Sequence, residues 1–148
     1  MTSENTSDDS FAFVLATAAR LMRTRFEAAL RKADLEITPA EARTLTVADR
    51  LGHPRQAELA SAMGIEPMSL VNHLDRLEKR GLIERIADPI DRRIKLIGLT
   101  EKAKPELRKI RCVFDQAREL AMRNFSSAER TQLHLFLQRL SHDLLSNE

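Results

Sequence analysis

The chain predicts a mainly α fold with one small β-hairpin, a winged helix-turn-helix set between long helices at both ends. Three observations carry this. Between Gln56 and Arg80 two helical stretches are separated by the tight turn Gly64-Ile65, and Gly81 ends the second. Two short β-like runs follow, Ile83 to Ala87 and Ile94 to Leu99, joined by the polar turn Asp88-Pro89-Ile90-Asp91-Arg92-Arg93. Outside this stretch, apolar residues recur at helical spacing over Phe11–Leu30 and Leu107–Leu144.

Composition sets the limits. A chain of 148 residues, 43% of them hydrophobic, is long enough for one domain with a core. Six Phe are its only aromatics, so aliphatic side chains must fill most of that core. No apolar run reaches the roughly 18 residues of a membrane span. The acidic start does not resemble a secretory signal. A single cysteine excludes an internal disulfide, and together these features point to the cytoplasm. The formal net charge is +2, and residues 55–99 carry eight Lys/Arg against seven Asp/Glu. Bulk electrostatics alone therefore does not indicate nucleic acid. That case rests on motif and placement.

In chain order, residues 1–9 read as a disordered tail with nothing to bury. Ser10 can cap a first helix with the stripe Phe11, Val14, Leu15, Ala18, Leu21, Met22, Phe26, Ala29 and Leu30. Thr38-Pro39-Ala40-Glu41 is a strong helix start: Thr38 caps, Pro39 takes the first helical position, and Glu41 completes a capping box. Gly52-His53-Pro54 stops that helix. The next begins near Arg55 or Gln56 and buries Leu59, Ala60 and Met63, with Gly64 as its left-handed end. Pro67 opens the second helix of the pair, whose buried stripe is Leu70, Val71, Leu74 and Leu77. Leu82 can fold back against that helix. Thr100 can cap a long helix, in which Pro105 is expected to remove a bond and kink the first turns. Its stripe is Leu107, Ile110, Val113, Phe114, Ala117, Leu120, Ala121 and Phe125. Ser126-Ser127-Ala128-Glu129 forms a second capping box. It opens a last helix with Leu133, Phe136, Leu137, Leu140 and Leu144 on one face.

The central stretch resembles the MarR/SlyA family of bacterial transcriptional regulators. The carrying residues are the helix Glu66 to Gly81, Leu82-Ile83-Glu84-Arg85, and the wing signature Asp91-x-Arg93 followed after five residues by Leu99-Thr100. The resemblance covers Thr38 to Lys102 by motif and the whole chain by helix order. It implies a homodimer acting on a pseudo-palindromic operator, as a repressor in most members. The dimer base would be built from residues 10–36 and 101–146, and the DNA-binding lobe from 38–100. The residues agree, because three long helices carry stripes that one small lobe cannot cover.

A helix of this size fits the major groove with its N-terminal half at the base edges. Ser69, Asn72, His73 and Arg76 lie off its buried stripe. Asn72 suits an adenine edge, His73 a base or phosphate, and Ser69 and Arg76 phosphates. By the resemblance, Arg93 enters the minor groove and Asp91 orients it through a salt bridge. A guanidinium favours the negative potential of a narrow A/T groove. Arg92 is the adjacent alternative, and Lys95 is expected at phosphate. Arg55 departs from the family, where many relatives begin this helix with Thr-Gln. A cation at a helix N-terminus is locally unfavourable, and a nearby phosphate can relieve it.

The resemblance further implies a small-molecule effector, often an aromatic acid, held between the dimer base and the lobe. Arg20 and Arg23, with His53 nearby, can supply charge for an anion. Cys112 reads as an inert or partly buried thiol. His53, His73, His134 and His142 are too scattered for a metal, so neither metal nor cofactor is expected. The competing reading is a winged-helix module that binds protein without specific DNA binding. An enzyme has the least support, since there is no Gly-rich phosphate loop, ligand cluster or nucleophile beside a base.

Overall fold

A computed structural model describes residues 7–146, with side chains from Ser10 onward. Six helices and one hairpin follow in the order α1 (Ser7–Lys32), α2 (Pro39–Leu51), α3 (Gln56–Met63), α4 (Pro67–Lys79), β1 (Ile83–Ala87), β2 (Lys95–Leu99), α5 (Ala103–Ala121) and α6 (Ser127–Ser146). The first six residues of the expected tail lie outside the described residues. Helix α1 starts at Ser7, ahead of the expected cap at Ser10.

The helix starts follow local chemistry. Thr38 Oγ1 accepts from the Glu41 amide, and Glu41 Oε2 accepts from the Thr38 amide, with Pro39 in the first turn. Ser126 and Glu129 form the same reciprocal pair before α6. Gly64 closes α3 at φ 62 and ψ 39, and the Ile65 amide donates back to Ala60 O. This left-handed turn, nearly free of strain only for glycine, brings α4 out across α3. Gly81, at φ 72, repeats the device, and the Leu82 amide reaches Leu77 O. Leu82 is buried against the core as expected.

Two expectations about α5 are corrected. Thr100 does not cap it. Its hydroxyl donates to Gly81 O at 2.6 Å, and its amide donates to Leu82 O at 3.1 Å. Residues 101 and 102 form a turn, and the helix begins at Ala103. Pro105 thus falls in the first turn, where an amide has no intrahelical acceptor, so it removes no bond.

The chain divides into two compact units, 1–114 and 115–148. The boundary lies inside α5. The core of the first unit gathers Leu45 of α2, Leu59 of α3, Leu70, Leu74 and Leu77 of α4, Ile97 of β2 and Ile110 of α5, all fully buried. Each such Leu or Ile contributes roughly 1.5–3 kcal/mol on burial. Phe26 of α1 and Phe114 of α5 pack as a tilted pair, 4.9 Å between ring centroids. In the second unit α6 buries none of its residues, and Leu133, Phe136, Leu137 and Leu144 of its stripe are exposed. No helix among the described residues is long and apolar enough to cross a membrane.

Candidate nucleic-acid interface

Helix α4 has two chemically distinct sides. Leu70, Leu74 and Leu77 anchor one side in the core, while Ser69, Asn72 and Arg76 are exposed on the other and His73 is half-buried at the border. Val71, expected in the stripe, is only half-buried. Met68, which no sequence argument singled out, stands 71% exposed beside Ser69 in the first turn.

Helix α2 holds the border residues from beneath. Thr44 is fully buried, and its Oγ1 lies 3.3 Å from His73 Nδ1. The same hydroxyl donates to Ala40 O at 2.9 Å. Burial keeps the His73 imidazole below its ordinary pKa; the carboxylate of Glu41 works against this and the guanidinium of Arg76 with it. Glu41, itself buried, places Oε1 3.8 Å from Arg76 Nη1. Arg76 is therefore loosely tethered through its guanidinium while most of its side chain stays in solvent.

The hairpin pairs β1 with β2 in antiparallel register, from Ile83 opposite Leu99 to Ala87 opposite Lys95. Ile94, expected as the first residue of the second strand, belongs to the turn instead, and β2 begins one residue later. Asp88 organises that turn. Its Oδ1 accepts from the amides of Ile90 at 2.8 Å and Asp91 at 3.3 Å. Its Oδ2 receives Arg55 Nη2 at 3.3 Å. The backbone bonds, then Arg55, hold the Asp88 carboxyl below the usual carboxylate range. The cation at the start of α3 is thus balanced inside the protein by Asp88. The Arg55 amide is meanwhile capped by Glu58 Oε2 at 2.8 Å. A phosphate is not required, which corrects the expectation for Arg55.

Arg93 is gripped by Asp91. Nε meets Oδ1 and Nη2 meets Oδ2, each at 3.1 Å, and the Arg93 amide adds a third bond to Oδ1. These bonds lower the Asp91 pKa. The Arg93 side chain nevertheless remains 90% exposed, so the guanidinium is oriented yet displayed. Arg92 and Lys95 are exposed beside it.

Much of the charge of the lobe is paired internally. Asp75 and Glu78 are taken up by Arg85, Asp88 by Arg55 and Asp91 by Arg93. Among the described residues, Lys79, Arg80, Arg92 and Lys95 carry no ion pair. Glu58, Glu66 and Glu84 carry none either, so the unpaired charges of the lobe stay near balance, and what distinguishes the wing is that Arg92, Arg93 and Lys95 are exposed together.

A family model described as "MarR family" matches residues 37–95, which span α2 to the start of β2. Over this stretch the chain matches the MarR family. A MarR-family transcriptional regulator from Rhodococcus sp. RHA1 shares the fold with a TM-score of 0.74 at 24% identity, over 93% of this chain and 97% of that one. CouR from Rhodococcus jostii RHA1, solved bound to p-coumaroyl-CoA, is 28% identical with a TM-score of 0.71, over 93% of this chain and 95% of that one. BpsR of Bordetella bronchiseptica, whose structure concerns regulation of its DNA binding by 6-hydroxynicotinic acid, is 21% identical with a TM-score of 0.71. That match covers 89% of this chain and 98% of BpsR.

The remaining MarR-family expectations concern an effector. Arg20 and Arg23 are exposed on α1. His53 lies instead at the wing, its Cδ2 3.5 Å from where a Cβ on Gly98 would stand. Cys112 is exposed rather than partly buried. His134 and His142 lie exposed on α6, and no cluster of three potential metal ligands occurs among the described residues.

Proposed function

We propose that the protein is a homodimeric, sequence-specific DNA-binding regulator, a repressor whose hold on its operator is modulated by a small molecule. The observation that carries this is the wing tip. Arg93 is preset by two side-chain bonds from Asp91 and left almost wholly in solvent. A buried structural arginine would not be displayed, and a merely solubilising one would not be preset. In this reading Arg93 enters a minor groove, with Arg92 and Lys95 at the flanking phosphates. Ser69, Asn72, His73 and Arg76 face the adjacent major groove from α4.

The second copy is supplied by the chain itself. Helix α6 leaves Leu133, Leu135, Phe136, Leu137, Leu144 and Leu145 between 38% and 77% exposed. Apolar area on this scale marks an association surface. A symmetric dimer would cover it and place two reading helices on one DNA face. The ligands of CouR and BpsR, p-coumaroyl-CoA and 6-hydroxynicotinic acid, support an aromatic acid or its thioester as the effector class.

An operator selected from random duplex DNA tests the proposal. The expected site is an inverted repeat with half-sites about one helical turn, roughly 10 bp, apart. Affinity should fall steeply between 50 and 200 mM salt, by roughly a thousandfold if about six phosphates are neutralised. The balanced formal charge of the lobe favours one other reading, a protein-binding module. Salt-insensitive binding, or no selected sequence, would decide for it.

A further inference from the structure

We propose that Thr44, a buried residue of α2 that touches no base, fixes His73 as a hydrogen-bond acceptor and so makes it a reader of exocyclic base amines. This rests on the DNA-binding reading above and names what one position of the reading helix recognises.

The argument follows the hydrogens. The Thr44 hydroxyl has one proton, and that proton is committed to Ala40 O, a group that can only accept. The contact between Thr44 Oγ1 and His73 Nδ1 at 3.3 Å then needs its proton from the ring. Nδ1 must carry the hydrogen. In a neutral imidazole Nε2 is then a bare lone pair. Nδ1 is turned toward a fully buried hydroxyl on a half-buried ring, and Nε2 has no partner among the described residues. It is the ring nitrogen left for DNA.

In the major groove only adenine N6 and cytosine N4 donate. Guanine O6 and N7 and thymine O4 accept, and a bare Nε2 repels them. The fixed tautomer therefore splits bases by amine against carbonyl. The charged groups facing the ring are Glu41 from α2 and Arg76 from α4 itself. Protonation would convert Nε2 into a donor and reverse the preference toward guanine.

The test uses the full-length chain and the operator it selects. His73→Ala should lose discrimination at one base pair per half-site, by roughly tenfold or more, and keep it elsewhere. Thr44→Val keeps shape and removes the acceptor, so the ring can donate. That variant should accept guanine or thymine at the same position while melting as a folded protein. Replacing the amine-bearing base by its analogue lacking that amine should weaken wild type by the same factor and leave His73→Ala unchanged. If wild type binds its operator with steep salt dependence yet neither variant alters base preference, the amine-reading role is overturned while DNA binding stands. Equal tolerance of all four base pairs at that position by wild type overturns it equally. Failure to select any DNA sequence removes both readings.

Discussion

Arg55 and Asp88 lie 33 positions apart in sequence and meet at 3.3 Å, joining the start of α3 to the base of the wing turn. Asp88 is the buried partner, with its side chain 7% exposed, and it also caps the amides of Ile90 and Asp91. Arg55 is therefore joined to Arg93 by three links in series, through Asp88 and Asp91. We expect Arg55→Gln to loosen the wing without unfolding the lobe. Operator affinity should drop by about tenfold, within the 1–3 kcal/mol that loss of a charge-assisted bond costs. A binding titration beside a circular dichroism melt checks this, and undiminished affinity would show that the wing holds its shape without Arg55.

Arg93→Ala should remove specific operator binding and leave the thermal melt of the protein unchanged, because the side chain is solvent-exposed and packs nothing. Arg93→Lys should recover little. A lysine cannot use both oxygens of Asp91 in a planar fork. Labelled-operator titration of the three proteins decides it, and wild-type affinity in the alanine variant removes the minor-groove role.

Leu74→Ala should destabilise the lobe by about 2–5 kcal/mol, the usual range for a fully buried leucine whose cavity cannot collapse. Chemical denaturation measures this. DNA binding should fail together with the fold, in contrast to Arg93→Ala.

Phe136→Glu on α6 should convert a dimer to monomers. The ring is 58% exposed in a single chain, so the change costs the isolated fold little. It would place a charge in the covered apolar face of the dimer, where an unpaired carboxylate is strongly unfavourable. Sedimentation velocity at micromolar concentration reads the outcome. A persistent dimer would mean that α6 is not its interface.

Acidification gives a prediction of definite sign. The His73 pKa lies below its ordinary value of about 6.5 in the folded state because burial disfavours the imidazolium. Between the folded value and about 6.5 the unfolded chain holds more proton, so stability rises with pH through that window and is complete above it. Wild type should lose stability from pH 7 to pH 5 more steeply than His73→Gln. Parallel melts at the two pH values test it.

The sequence was most informative where the physics is local. Both capping boxes, the left-handed turn at Gly64 and the return of Leu82 each depend on residues within six positions of one another. The Asp91–Arg93 grip spans two residues and was expected from the family pattern. Thr44 with His73, and Arg55 with Asp88, span 29 and 33 positions. Such pairs exist only once α2, α4 and the wing have packed, and nothing in the spacing of either partner announces the other. Pro105 illustrates the same limit: a cap at Thr100 would put the proline deeper in the helix, but the Thr100 hydroxyl is taken by Gly81 across the fold and the helix begins three residues later.

The bonds around Gly81 carry a mechanical consequence. Arg80 O receives Lys102 Nζ, Gly81 O receives the Thr100 hydroxyl, and Leu82 O receives the Thr100 amide. The exit of α4, the end of β2 and the root of α5 are riveted at a single joint. A torque delivered along α5 would swing helix and wing as one rigid head rather than bend one against the other. An effector acting through α5 would then leave the reading surface intact and alter only the stride between two such heads.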